Sequence, residues 1–247
     1  DHMVLQRDKP IAVWGHAQPG RKVHVVLAGT DSVSHFVRTD DAGDWIVHLS
    51  PMSASADPRQ LVIESIESDG SVLEHLAFSD VLVGEVWVCS GQSNMQWTLS
   101  ASGEQNIDTA TADHDQLRMF TAELTSHPQP KFDVNGSWVV CSAQSAPRLS
   151  AVAYYFGREL QRELGVPIGL VHTSWGGSSA EAWTSLDMLA SLPETLPILQ
   201  RFEQSLQPDA ETAEFTSLIH DDVDWQSVTL PSFFKDQGED LDGVVWY

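Results

Sequence analysis

The feature that most limits what this chain can fold into is a change of rhythm at Asp80. Before it, from Pro10 to about Ser79, short apolar segments alternate with turn residues. Residues 11–14 run into Gln18-Pro19-Gly20, 23–27 into Gly29-Thr30-Asp31, 33–37 into Asp41-Ala42-Gly43, and 45–49 into a loop holding Pro51 and Pro58. Residues 61–66, the pair Asp69-Gly70 and residues 72–78 complete the series. Strands of this length with turn chemistry every ~8 to 12 positions predict a small β-sandwich, and no helix is needed.

After Asp80 the apolar runs become nearly continuous, at residues 81–83 and 86–89. That pattern belongs to parallel strands covered on both faces by helices. Residues 117–124 read as a further strand, and Asn135-Gly136 as a turn before a strand at 138–141. The polar stretch 98–116 reads as loop or amphipathic helix. The spacing predicts a helix over 151–164, capped by Ser150, ended by Gly165 and Pro167, with Val152, Phe156, Leu160 and Leu164 as its apolar stripe. A buried strand at 168–171 follows, so strand, helix and strand succeed one another as in an α/β sheet. Three parts are expected: a β-sandwich over 1–79, an α/β domain over 80–208, and, after the linker-like Pro208-Asp209-Ala210-Glu211, a β-rich strand-like stretch within 209–247.

Charge narrows the function classes. With 35 acidic and 13 basic side chains the chain carries a net charge of −22, which repels phosphate backbones and anionic membrane surfaces, so neither nucleic acid nor membrane is an expected partner. No apolar run approaches the ~20 residues needed to span a bilayer. Two cysteines, Cys89 and Cys141, cannot build a disulfide framework or a CxxC site, and none of the ten histidines has HExxH spacing, so no metal or cofactor is expected. With 42% hydrophobic residues and nine tryptophans the chain can bury a sizeable core. It begins at Asp1 and stops in the apolar run Val244-Val245-Trp246-Tyr247, which reads as mid-strand; the expectation is a fragment, with any signal peptide not visible and the compartment open.

Two segments can carry chemistry. In the first, residues 84–97, an apolar strand enters a small-residue turn and Ser93 stands where a helix could begin. Ligands of α/β sheets gather at the carboxyl ends of strands, and helix-start N–H groups stabilise an oxyanion, so Ser93 could be a nucleophile. Pattern alone favours the plainer reading, a helix-capping serine. The second segment, residues 172–183, follows the strand at 168–171. Gly176 and Gly177 let the backbone approach a bound group and point N–H groups at it, while Ser178 and Glu181 have capping-box spacing for a helix starting at Ser179. The bland alternative is a strand-to-helix loop.

Other residues are double-edged. Trp97, Trp175 and Trp183 could offer flat faces to a sugar ring or simply be core. His172 is the one histidine near both segments, but a strand-end histidine is more often a satisfied, partly buried residue. Cys89 reads as a buried strand residue, and Asn135-Gly136-Ser137 is a glycosylation sequon only on a eukaryotic secretory route.

Residues 84–95, Gly-Glu-Val-Trp-Val-Cys-Ser-Gly-Gln-Ser-Asn-Met, resemble the nucleophile block of sialate O-acetylesterases and related carbohydrate acetylesterases of the SGNH-hydrolase superfamily. The resemblance extends to Asp1-His2-Met3-Val4-Leu5-Gln6-Arg7, Trp14-Gly15 with Pro19-Gly20, Val166-Pro167-Ile168-Gly169-Leu170, and Trp175-Gly176-Gly177 with Ala180-Glu181-Ala182-Trp183. It implies an SGNH-like α/β fold after an N-terminal β-sandwich, and hydrolysis of O-acetyl esters on a carbohydrate through an acyl-enzyme on Ser93. Gln92, Asn94, Gly176, Gly177 and Glu181 would bind the oxyanion or substrate, and the compartment would be extracellular, periplasmic or lysosomal. Two family motifs, a strand end reading Gln-Gly-Glu-Ser and an Asp-x-x-His motif with the activating histidine, do not occur in these 247 residues. A serine hydroxyl without an adjacent base is a weak nucleophile, so a non-catalytic carbohydrate-binding or structural fragment is the rival expectation.

Overall fold

In the computed structural model, residues 1–67, 69–103, 113–127 and 129–205 are described. The expected linker and β-rich module, and residues 104–112 of the polar stretch before Gln116, lie outside them. The chain divides into two compact units, Asp1–Ser178 and Ser179–Tyr247.

The first unit is built on strands. β1 (Val4–Gln6), β2 (Ile11–His16), β3 (Lys22–Ala28), β4 (Val33–Arg38), β5 (Asp44–Leu49) and β6 (Ser55–Ile66) precede a long β7 (Val72–Cys89); β8 (His114–Ala122), β9 (Gly136–Cys141) and β10 (Ile168–His172) follow. One sheet runs β4-β3-β6-β7-β10-β8-β9, with β1 beside β7, and a second pairs β2 with β5. The pleat of β5 alternates strictly, burying Trp45, Val47 and Leu49 and exposing Asp44, Ile46 and His48. The buried set joins Ile11, Val13, Val23, Val25, Leu27, Val81 and Val83 in one apolar core. Pro58, expected in a loop, sits inside β6, where register shifts between Ser55, Arg59 and Leu61 accommodate a residue with no N–H to give.

Position 80, expected as a boundary, falls within β7. The first half of that strand pairs antiparallel with β6 and its second half parallel with β10, so a single strand belongs to both kinds of sheet. Asp80 marks the change with φ of +56°, rare for a residue with a side chain. His2 Nδ1 (2.6 Å) and Arg118 Nη2 (2.9 Å) hold its carboxylate, and the same buried guanidinium donates to the Asp80 carbonyl. Burial would push the Asp80 carboxyl up, but these hydrogen bonds and charges outweigh it and leave it below the usual value.

β7, β10 and β8 are parallel, with Ile168 opposite both Glu85 and Leu117, and β9 is antiparallel at the edge. This mixed sheet with parallel strands and a covering helix fits an SGNH-like α/β fold. The helix forms where the spacing predicts, α2 (Ala151–Leu164), preceded by α1 (Ser93–Gln96). Ser150 caps α2 by accepting from Ala153 N (3.2 Å), and Gly165 ends it at φ +65°.

The predicted stripe of α2 is corrected. Val152, Phe156 and Leu164 are exposed, Leu160 is partly buried, and the face that packs is Ala151, Ala153, Tyr154 and Gly157. The reason is closeness: a β-carbon on Gly157 would stand 2.7 Å from both Leu117 Cδ1 and Leu170 Cδ1, so the helix lies on the sheet through its smallest residues. Coverage of both faces is likewise not uniform, because Trp87 and Val88 are exposed, Trp87 meeting Phe156 edge-on at 5.3 Å.

Where β7 passes the entry to β10, contact is tighter still. A β-carbon on Gly84 would stand 1.9 Å from the Pro167 carbonyl oxygen, which already accepts from Glu85 N at 2.9 Å. Backbone cannot give way as a side chain can. Gly84→Ala is therefore expected to cost about 3 kcal/mol, a fall on the order of 6 to 12 °C in Tm for a chain of this size. Thermal unfolding followed by circular dichroism checks this, and an unchanged Tm would contradict the strand packing.

In the described part of the second unit, a 3-10 turn at Ala180–Trp183 leads to α3 (Leu186–Ser191) and α4 (Leu196–Ser205). Ser185 caps α3 by accepting from Met188 N at 3.3 Å. No described helix is long and apolar enough to cross a membrane.

Candidate active site

β7 and β10 end at the same level, with His172 opposite Cys89. Their loops stay zipped beyond the sheet, Thr173 N donating to the Cys89 carbonyl (3.1 Å) and Trp175 N to the Gly91 carbonyl (2.9 Å). The first loop turns through Gly91 at φ +141°, a conformation that only glycine takes without strain. It then enters α1 with Gln92 in the capping position and Ser93 as the first helical residue.

Ser93 is thus not the cap of its helix. Gln92 holds that position and makes no side-chain capping bond. Gln92, Ser93 and Asn94 are all exposed, and among the described residues Ser93 Oγ has no hydrogen-bond partner. The remainder of the turn is firmly held. Trp97 N returns to the Ser93 carbonyl (3.0 Å), Ser150 Oγ donates to the Met95 carbonyl (2.6 Å), and Ala151 N donates to the Trp97 carbonyl (2.8 Å). One serine therefore both caps α2 and ties the Ser93 turn to it, a double role that spacing does not reveal.

The paired glycines come to the same place. A β-carbon on Gly176 would lie 3.4 Å from Ser93 Oγ and 3.6 Å from Ser93 Cα. Its N–H, expected to face an oxyanion, is engaged: it donates to Gln96 Oε1 at 2.7 Å. Gln96 was not among the residues singled out by sequence, and an 80-residue separation leaves no local signal for the contact. Gly177 is exposed with φ +78°. The helix-dipole argument also shrinks here, because α1 has four residues and its aligned peptide dipoles are few. What remains are discrete first-turn N–H groups, those of Ser93, Asn94 and Met95, which donate to no main-chain carbonyl among the described residues.

His172 takes the bland role. It is buried, its Nε2 pairs with Ser174 Oγ at 2.6 Å, and the ring also hydrogen-bonds the Met95 main chain. Burial lowers its pKa from the usual 6.5, outweighing the opposing Met95 bond. A native pKa below the unfolded one means the unfolded state binds more protons between the two values. The stabilising contribution is complete above about pH 6.5 and is lost as pH falls toward the native value, at up to ~1.4 kcal/mol per pH unit. Urea titrations at pH 7.5 and pH 5.5 are expected to show a smaller stability difference in His172→Gln than in the wild type; equal differences would contradict this.

Glu181 and Trp183 belong to the second unit. Glu181 has a lowered pKa because its own backbone N–H and then Ser179 hydrogen-bond its carboxylate. The expected capping-box helix from Ser179 is a single 3-10 turn with no side-chain capping bond from Ser179, and Ser178 Oγ donates back to the Trp175 carbonyl (2.6 Å). Trp97 and Trp175 are exposed rather than core. Cys89 and Cys141 are buried thiols outside any disulfide, with burial raising both and, together with Asp113, carrying Cys141 to about 11. Among the described residues no cluster of His, Cys, Asp and Glu could hold a metal.

A family model described as carbohydrate esterase, sialic acid-specific acetylesterase, matches residues 83–210, just over half the chain. The sialate O-acetylesterase of Rattus norvegicus is 32% identical over 285 residues, covering 100% of this chain and 50% of its own length; that of Homo sapiens is 33% identical over 258 residues, covering 99% and 46%. This chain spans about half the length of these curated relatives. A crystal structure of a carbohydrate acetylesterase from Xanthomonas citri superposes with TM-score 0.69 at 34% identity, over 79% of this chain and 43% of that one. Ser93, Gln96 and Gly176 all lie inside the matched segment, and the chain belongs to the sialic acid-specific acetylesterase family of carbohydrate esterases.

Proposed function

We propose that this chain carries the nucleophile of a carbohydrate O-acetylesterase. The observation behind this reading is the exposed Ser93 hydroxyl at the shared end of two parallel strands, within reach of Gly176, in a member of an acetylesterase family. Ser93 Oγ attacks the acetyl carbonyl, and first-turn N–H groups with that of Gly177 receive the negative charge on its oxygen. Gly176 N–H joins them when Gln96 Oε1 gives way. Collapse expels the sugar oxygen, which leaves as a hydroxyl by taking up through solvent the proton that Ser93 Oγ gave up, and leaves an acetyl ester on Ser93; water then adds to that ester, restores the Ser93 hydroxyl and releases acetate and a proton. Gln92 and Asn94 border the substrate. Substrates of this class are acetylated sialic acid or an acetylated plant polysaccharide. Residues 1–79 are read as a small β-sandwich ahead of the hydrolase portion.

Such chemistry uses a histidine base, and no described imidazole touches Ser93 Oγ. That observation favours the second reading, a carbohydrate-binding portion without turnover of its own. Acetate release separates the two. The purified chain, incubated with acetylated xylan, with O-acetylated sialic acid and with an activated aryl acetate, is expected to hydrolyse the aryl ester first, because its leaving group needs no general acid. Rates equal to buffer on all three would leave the binding reading standing and remove the catalytic one.

A further inference from the structure

The outward face of the two-stranded sheet carries a feature that ester hydrolysis does not use. Trp14 on β2 and its cross-strand partner Ile46 on β5 both point outward, and Phe132, from the segment between β8 and β9, lines the same cleft. Trp14 is 57% exposed and Phe132 88% exposed, yet the indole is not loose, since its Nε1 donates to the Phe132 carbonyl (3.4 Å). Together they floor a cleft of about 750 Å³. That size is ordinary for a small-molecule site, ~300 to 1,000 Å³.

The rim is polar and acidic. Asp40, Asp44 and Asp133 line it against a single guanidinium, Arg38. Asp40 Oδ1 holds the local turn by accepting from Ala42 N and Asp44 N, both at 2.9 Å, and Asp44 Oδ1 meets His16 Nδ1 at 3.1 Å. Among the described residues the second oxygen of each carboxylate accepts nothing, so it can take a hydroxyl proton. An apolar aromatic floor with hydrogen-bond acceptors around it matches a pyranose, which has a C–H face and a hydroxyl edge. Three carboxylates to one cation, on a chain of net charge −22, repel a carboxylated sugar.

We infer that this cleft is a non-catalytic subsite for an uncharged glycan chain. The inference rests on the acetylesterase reading for its ligand class alone, and its test does not pass through Ser93. The chain is titrated calorimetrically with xylohexaose, cellohexaose and mannohexaose, and separately with N-acetylneuraminic acid. At least one neutral hexaose is expected to bind saturably. Trp14→Ala weakens it about tenfold, the loss of one aromatic stacking contact, Phe132→Ala weakens it measurably, and Ser93→Ala leaves it unchanged. Both rings are largely exposed, and circular dichroism checks that each variant folds; Phe132→Ala carries the test by itself if Trp14→Ala does not fold. The inference is overturned if no neutral hexaose binds, if N-acetylneuraminic acid binds with an affinity that Trp14→Ala or Phe132→Ala weakens, or if folded variants bind the hexaose like the wild type. Sedimentation showing a dimer that Trp14→Ala or Phe132→Ala dissolves would also overturn it, assigning the face to a second copy. Organophosphonate labelling of Ser93 in the same preparation separates the failures: labelling without glycan binding sinks this inference only, and glycan binding with an inert Ser93 sinks the esterase reading only.

Discussion

Ser93→Ala is expected to abolish organophosphonate labelling and to bring aryl acetate hydrolysis down to the uncatalysed rate, a fall of at least ~100-fold, with Tm unchanged. The split between reactivity and stability follows from the site. The hydroxyl is exposed and makes no hydrogen bond among the described residues, so its removal leaves no buried partner unsatisfied and no cavity. The turn itself is held by the Met95, Trp97 and Gly91 carbonyls, none of which depends on Ser93 Oγ. Stopped assays with the aryl ester and a thermal melt of both proteins check the two halves. A variant that loses activity together with more than about 5 °C of Tm would indicate that Ser93 is structural.

Gly176→Ala is expected to lower Ser93 reactivity by about 100-fold, the cost of keeping the acetyl carbonyl out of its reacting position, while leaving stability nearly intact. Its β-carbon would stand 2.6 Å from Gln96 Oε1, the end of a flexible side chain that can move, and 3.4 Å from Ser93 Oγ. The methyl group thus fills the space beside Ser93 Oγ that an acetyl carbonyl must enter, and that exclusion outweighs any gain from releasing the Gly176 N–H from Gln96. Gly84→Ala gives the opposite split, because its clash is with the Pro167 carbonyl and no side chain can absorb it. Measured side by side, the two variants distinguish space needed for packing from space needed for reaction. Labelling of Gly176→Ala at the wild-type rate would show that the second loop takes no part.

Much of this architecture is written in local pattern. Strand and turn positions before Asp80, the helix Ala151–Leu164 and its two ends follow from periodicity and capping, both short-range effects. Even the change of rhythm at Asp80 has a physical counterpart, a positive φ pinned by Arg118. Illegible parts depend on partners distant in sequence. The buried face of α2 was misread because Gly157 and Ala153, weak signals in a hydrophobicity pattern, allow closer approach than Val152 and Phe156 would. Pro58 was assigned to a loop because a bulge that tolerates proline cannot be seen before the neighbouring strand is known. In the site, the block around Ser93 was legible from its residues, whereas the Gln96–Gly176 bond and the tie from Ser150 to Met95 require the two loops to be folded together.

The central claim is that one hydroxyl, on Ser93, is the reactive nucleophile of this chain. Prolonged treatment with a fluorophosphonate, followed by digestion and mass spectrometry, addresses it directly. A single adduct on Ser93, with neighbouring Ser90 and Ser174 unmodified, is the expected result. An adduct on another serine of the folded protein, with Ser93 unmodified, would contradict the account.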